Sequence, residues 1–196
     1  MLISQDRKKG ALSVEGIHKA PFARSYWVAP GELLAGCYPG SENLDEARTK
    51  MKALLDHGIR HFIDLMEPGE FNWNGKPFVP YAPRLKVMAD GLGLETTFDR
   101  LAIRDGWVPS REIMRHILNR IDLFIKEGRP VYVHCWGGRG RTGTVVGCYL
   151  ARHGLASGYD VLDMIAGLRK GTEDGDELSP ETFAQIDFVV SWQKGE

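Results

Sequence analysis

Long hydrophobic runs are missing from this chain, as are internal repeats and low-complexity tracts. No stretch reaches the run of about 18 apolar residues that a membrane-spanning helix needs, so stable insertion in a membrane is not expected. The first twenty residues, MLISQDRKKGALSVEGIHKA, hold no apolar h-region, and no secretory leader is expected from them. An excess of one charge is missing too. Against 26 Asp and Glu stand 25 Lys and Arg, a formal net charge of -1, so no global basic field points to nucleic acid. Cysteine is scarce: Cys37, Cys135 and Cys148 are too few and too far apart for a disulfide framework. The odd count fits a reducing compartment and lets one of the three act as a nucleophile. A cytoplasmic protein is the resulting expectation. His134, Cys135, Cys148 and His153 lack the paired spacing of metal ligands, so neither a metal nor another cofactor is expected.

What is there is ordinary globular material. The 196 residues are 43% hydrophobic, enough for one domain with a real core. We read residues 1–20 as a weakly patterned polar arm and 21–196 as a single domain. SYWVAP-GELLAGCYPG reads as two short strands around a Pro-Gly turn. Leu44 to His57 has helical spacing and ends at Gly58. Ile59 to Met66 is a buried strand, followed by a long loop, EPGEFNWNGKPFVPYAP. Such loops carry function about as often as they are mere excursions. Arg84 to Leu92 reads as helix and Leu94 to Ile103 as extended chain. Ser110 caps a helix that presents Ile113, Ile117, Ile121, Phe124 and Ile125 on one face. Pro130 to Cys135 is a short β-branched strand, and a helix follows from about Arg141 to His153. Two more helices, near Gly158–Lys170 and Ser179–Lys194, flank GTEDGDELSP, which reads as a solvated acidic turn. This alternation predicts a single layered α/β domain, with a central, mainly parallel twisted sheet of about five strands flanked by helices.

The informative stretch is HCWGGRGRTG, His134 to Gly143, placed between a strand and a helix. Its glycines, Gly137, Gly138, Gly140 and Gly143, let backbone N–H groups curl around an anion at a helix N-terminus. Two nucleotide motifs almost fit. A dinucleotide GxGxxG uses Gly138, Gly140 and Gly143, but no second strand leads to Asp160, the acidic residue at the required spacing. The phosphate loop GxxxxGK, followed by Ser or Thr, has Cys135 at its first glycine and Arg141 at its lysine. A third reading accounts for both differences. A thiolate at the head of such a nest is stabilised by N–H groups and by the helix dipole, which makes it a nucleophile. The planar fork of Arg141 holds two oxygens of one anion, as lysine cannot. That is a site for phosphoryl transfer to cysteine.

HCWGGRGRT matches HCxxGxxR followed by Ser or Thr, and so resembles the signature of cysteine-dependent protein tyrosine phosphatases. The form HCxGGxGR is most similar to their compact dual-specificity group, including the cyclin-dependent-kinase-associated phosphatases. The resemblance implies that Cys135 attacks phosphorus and that Arg141 binds the phosphate and stabilises the transition state. The N–H groups from Trp136 through Gly137, Gly138, Arg139 and Gly140 to Arg141 hold its oxygens. It further implies that Thr142 hydrogen-bonds the sulfur and that His134 orients the Cys135 backbone; the alternative for His134 is a polar cap at a strand end. The family places its general acid about thirty residues upstream, where Asp105 lies in AIRDGWVPS; Asp99 is the runner-up, and a turn-forming Asp is the alternative. Larger family members position the hydrolytic water with a late glutamine, but Gln185 reads as a surface helical residue. Tyr38, Trp73 and Trp107 either rim the cleft or pack beside it. Arg139 either reads a second phosphate or faces solvent.

The implied activity is hydrolysis of phosphate monoesters, with a phosphorylated protein or peptide as partner and phosphotyrosine as first choice. A phosphoinositide phosphatase and a low-turnover phosphate-binding regulator are the alternatives. The oligomeric state is not legible in the sequence.

Overall fold

The computed structural model describes residues 19–196, apart from residue 73. The arm expected over 1–20 therefore lies, save for its last two residues, outside the described residues, as does Trp73. Among the described residues five strands and six helices follow one another: β1 (Ser25–Ala29), β2 (Leu33–Gly36), α1 (Leu44–Asp56), β3 (His61–Asp64), α2 (Ala82–Gly91), β4 (Thr97–Arg100), α3 (Arg111–Lys126), β5 (Val131–His134), α4 (Gly140–Arg152), α5 (Asp160–Arg169) and α6 (Phe183–Val190). They form one sheet in the order β1-β2-β5-β3-β4. Only β1, paired with β2, runs antiparallel. The expected α/β layering is what the chain adopts.

β5 is central. Its four residues are buried, and its register sets Gly36 and Asp64 beside His134 on either side. Because β2, β3, β4 and β5 are parallel, their carboxyl ends share one edge, where α/β proteins bind ligands. α4 is almost wholly buried from Gly140 to Ala151, the pattern of a central helix, and α3, α5 and α6 pack on it.

The helix boundaries follow from their caps. Asn43 accepts from the N–H groups of Asp45 and Glu46 at the start of α1, and Ser110 accepts from Ile113 at the start of α3. The buried face of α3 departs from expectation. Ile113 is 46% exposed, and Met114 and Leu118 join Ile117, Ile121 and Phe124 in the core. The apolar stripe is broad, and packing in the core buries the edge that carries Met114 and Leu118. α6 is shorter than its periodicity suggests. It begins only after Thr182, where a capping box closes between Thr182 and Gln185.

Candidate active site

At the end of β5 the chain leaves the sheet at Cys135 and re-enters regular structure at Gly140, the first residue of α4. Neighbouring chains keep hold of this exit: Leu65 N–H donates to the His134 carbonyl and Tyr38 N–H to the Trp136 carbonyl, both at 2.9 Å. Cys135 is 3% exposed, and the Gly138 N–H points at its sulfur, 3.3 Å away. Two glycines make the curl possible. Gly138 has φ +83°, and a Cβ there would lie 2.6 Å from the backbone carbon of Gly36. A Cβ at Gly140 would lie 2.5 Å from a carboxylate oxygen of Glu181 and 3.2 Å from the Gln185 amide oxygen. The loop is packed as closely as glycine allows.

His134 is fully buried, and burial lowers its pKa. Its Nδ1 faces the Cys135 carbonyl at 3.1 Å, and a carbonyl only accepts, so Nδ1 carries the proton. Nε2 then accepts from the Tyr81 hydroxyl at 2.7 Å, whose pKa burial raises well above the usual value. The neutral imidazole is thus oriented from both sides and tied to the Cys135 backbone.

Arg141 is 1% exposed. Its guanidinium is held by both carboxylate oxygens of Glu70, one at 3.0 Å, and by the Ile103 carbonyl at 3.1 Å. Asp105 reaches the same guanidinium at 3.1 Å. Burial opposes the charge of Arg141, and the hydrogen bonds and charge of Glu70 overcome it, so its pKa is raised. The structure therefore brings Asp105, Arg141 and Cys135 to one site. Asp99, the other candidate acid, stays in β4 and pairs with Arg120 at 2.7 Å, with the buried His61 ring 3.3 Å away. Thr142 is fully buried, and its hydroxyl makes no hydrogen bond to the sulfur.

Cys135, Trp136, Gly137, Asp105 and Arg139 line a cleft of about 450 Å³. Its remaining wall comes largely from the acidic segment expected to be a mere solvated turn, through Glu173, Asp174 and Glu177, together with Glu181 just after it and Arg24. Arg24 donates to the Gly137 carbonyl at 2.8 Å and pairs with Asp174 at 3.2 Å, which ties that segment to the loop. Arg139 does not face solvent freely; it is engaged by two carboxylates. Glu181 and Glu177 hold its two terminal nitrogens at 2.5 and 3.1 Å.

Of the proposed rim aromatics, Trp107 is 58% exposed beneath the Arg104 guanidinium, whereas Tyr38 is buried and lines a separate cavity of about 320 Å³. Cys37 and Cys148 are buried free thiols whose pKa values burial raises. Gln185 requires a correction: it is fully buried, not a surface residue. Its signal was the Thr-x-x-Gln capping box at 182–185. Glu70 was missed altogether. Its only signal was its place in the loop after a strand that the topology sets beside β5.

Three comparisons bear on this geometry. A family model described as polymorphic toxin system, DSP-PTPase phosphatase matches residues 39–155. Protein tyrosine phosphatase domain-containing protein 1 of Bos taurus is 28% identical over 138 residues, 70% of this chain and 16% of its own length. The chain spans less than half the length of the first curated relatives it matches. Among solved structures, a kinase associated phosphatase with its catalytic site cysteine replaced by serine superimposes with a TM-score of 0.62 at 19% identity, covering 87% of this chain and 93% of that one. PTPMT1 in complex with PI(5)P superimposes with a TM-score of 0.61 at 20% identity, covering 86% and 93%. At these identities the two structures speak for the fold.

Proposed function

Because the chain belongs to the DSP-PTPase phosphatases, a family of the cysteine-dependent tyrosine and dual-specificity phosphatase superfamily, we propose that it hydrolyses phosphate monoesters through a phosphocysteine intermediate. The observation that carries this reading is the sulfur of Cys135 beneath the Gly138 N–H at the head of α4, in a cleft it shares with Asp105. The monoester dianion docks on the loop N–H groups, where the helix dipole favours negative charge. It draws the Arg141 fork away from the Asp105 carboxylate. The Cys135 thiolate attacks phosphorus, an S–P bond forms, and the P–O bond to the leaving group breaks as Asp105, which takes up a proton from solvent once released from Arg141, delivers it to that oxygen. Water then attacks phosphorus, Asp105 takes its proton, and the S–P bond breaks to release inorganic phosphate. Glu70 holds the guanidinium of Arg141 through both carboxylate oxygens, and His134 fixes the backbone from which the sulfur projects.

A phosphorylated protein is the preferred substrate class. Glu173, Asp174, Glu177 and Glu181 stand around the mouth, and Arg139 is already neutralised by two of them. Such a wall repels a multiply phosphorylated headgroup and favours a phosphorylated residue with basic neighbours.

Hydrolysis of para-nitrophenyl phosphate by wild type, Cys135→Ser and Asp105→Asn tests the mechanism. Cys135→Ser is expected to abolish turnover, and Asp105→Asn to lower kcat by on the order of 100-fold or more. No wild-type turnover between about pH 5 and 7.5 rejects the enzyme reading; turnover that survives Cys135→Ser rejects the mechanism. A panel of phosphopeptides with lysine or glutamate flanks, run beside phosphoinositides, tests the substrate class. Faster turnover of phosphoinositides than of any peptide rejects it.

A further inference from the structure

We propose that Gln185 is a positioning residue for the general acid: it holds the turn that aims Asp105. This rests on the phosphatase reading above. The acid sits in a β-turn closed by the Trp107 N–H on the Arg104 carbonyl at 3.0 Å. Gly106 takes φ +72° at the third position, so Asp105 occupies the second. The Asp105 side chain is 70% exposed, and burial does not fix it. What fixes the turn is α6. The Gln185 side-chain amide donates to the Trp107 carbonyl at 3.3 Å, and the Thr182 hydroxyl donates to the Gly106 carbonyl at 3.3 Å.

The orientation of the Gln185 amide follows from its other partners. Its oxygen accepts from the N–H groups of Glu181 and Thr182, both at 3.2 Å. Two donors demand the oxygen, which leaves the NH2 group to face the Trp107 carbonyl. The same amide packs against Gly140, where a Cβ would approach it to 3.2 Å. One fully buried side chain therefore bridges the phosphate-binding loop and the acid turn. Most buried polar groups are hydrogen-bonded, and here every bond of the Gln185 amide serves to hold backbone.

Gln185→Glu separates this role from a purely structural one. It keeps the volume and the oxygen that accepts from Glu181 and Thr182, but it turns a second oxygen against the Trp107 carbonyl. Gln185→Met removes both functions. The measurement is kcat/KM, which reports steps through the first phosphoryl transfer, for phenyl phosphate and for 2,4-dinitrophenyl phosphate. The first leaving group needs a proton and the second does not. For Gln185→Glu we expect a loss on the order of 10-fold to 100-fold on phenyl phosphate and under about 3-fold on the dinitrophenyl ester. The Asp105→Asn/Gln185→Glu double variant should match Asp105→Asn alone on phenyl phosphate within about 2-fold, because both changes remove one function. Equal losses on both esters, or additive losses in the double variant, overturn the proposal.

Amide hydrogen exchange supplies a readout independent of turnover. Exchange across residues 104–108 should quicken in Gln185→Glu and Gln185→Met while α4 keeps its protection. Unchanged exchange across 104–108 overturns the proposal. A wild type without turnover rejects the phosphatase reading instead, and the exchange experiment still decides whether Gln185 holds the turn.

Discussion

Replacing Glu70 by glutamine removes the main countercharge of a guanidinium that is 1% exposed. Breaking a buried ion pair by deleting one partner costs about 3–5 kcal/mol, because the remaining charge is left desolvated. Arg141 keeps partial compensation from Asp105 at 3.1 Å and from the Ile103 carbonyl at 3.1 Å. The Asp105 side chain is 70% exposed, so water screens its contribution. The expected loss is therefore near the lower end, about 3 kcal/mol. For a chain of this length each kcal/mol shifts Tm by about 2–4 °C, so Glu70→Gln should melt about 6–12 °C lower. Calorimetry and urea unfolding at equal m give that difference directly. An oxyanion such as tungstate should restore part of it, since it supplies the charge that Glu70 no longer does. At 100 times its Kd a ligand stabilises by about 2.7 kcal/mol, and at any fixed tungstate concentration the variant should gain more than the wild type. A variant that melts within 2 °C of wild type, or that gains less from tungstate, would show that Glu70 is not the countercharge of Arg141.

Gly138→Ala forces a non-glycine residue to φ +83° and sets its Cβ 2.6 Å from the Gly36 carbon. We expect roughly 1–3 kcal/mol of destabilisation and loss of tungstate binding by calorimetric titration; wild-type tungstate affinity would contradict the loop geometry. Stability should also fall as pH drops. Burial lowers His61 to about 4 and lowers His134 in the same direction, whereas in the unfolded chain both titrate near the ordinary value of about 6.5. Below about pH 6.5 the unfolded state binds more protons, so ΔG of unfolding declines with falling pH and is flat in these groups above it. By pH 5 His61 alone accounts for about 2 kcal/mol. A urea midpoint that does not move between about pH 6.5 and 5 would refute the neutral, buried assignment of both rings.

The legible part of this protein was local. Strand, loop and helix around HCWGGRGRT follow from β-branched residues, then glycines, then helical spacing, all within about twenty consecutive positions. The cap of α3 was readable in Ser110 because a cap is a contact over three residues. Asp105 was singled out only by its place on a loop about thirty residues upstream of Cys135, with a turn-forming Asp before Gly106 as the alternative; Asp99 shared the claim, and the fold places it in β4, paired with Arg120. The face of α3 was half legible. Its stripe was visible, but its boundary depended on which side the core buried.

By itself the sequence pointed to Cys135 as the candidate nucleophile, to a glycine-rich loop suited to an anion and to Arg141 beside it, because a nest is built by the φ angles and N–H groups of neighbouring residues. Only the tertiary structure decided how that site is charged and held. Glu70 lies 71 positions from Arg141, Glu181 lies 42 from Arg139, and Trp107 lies 78 from Gln185. Such pairings depend on which strands are neighbours and on how α6 packs against α4, and no short stretch of chain carries that information. The same packing turned Gln185 from a surface residue into a buried bridge. Burial is a property of the whole fold, set where layers meet.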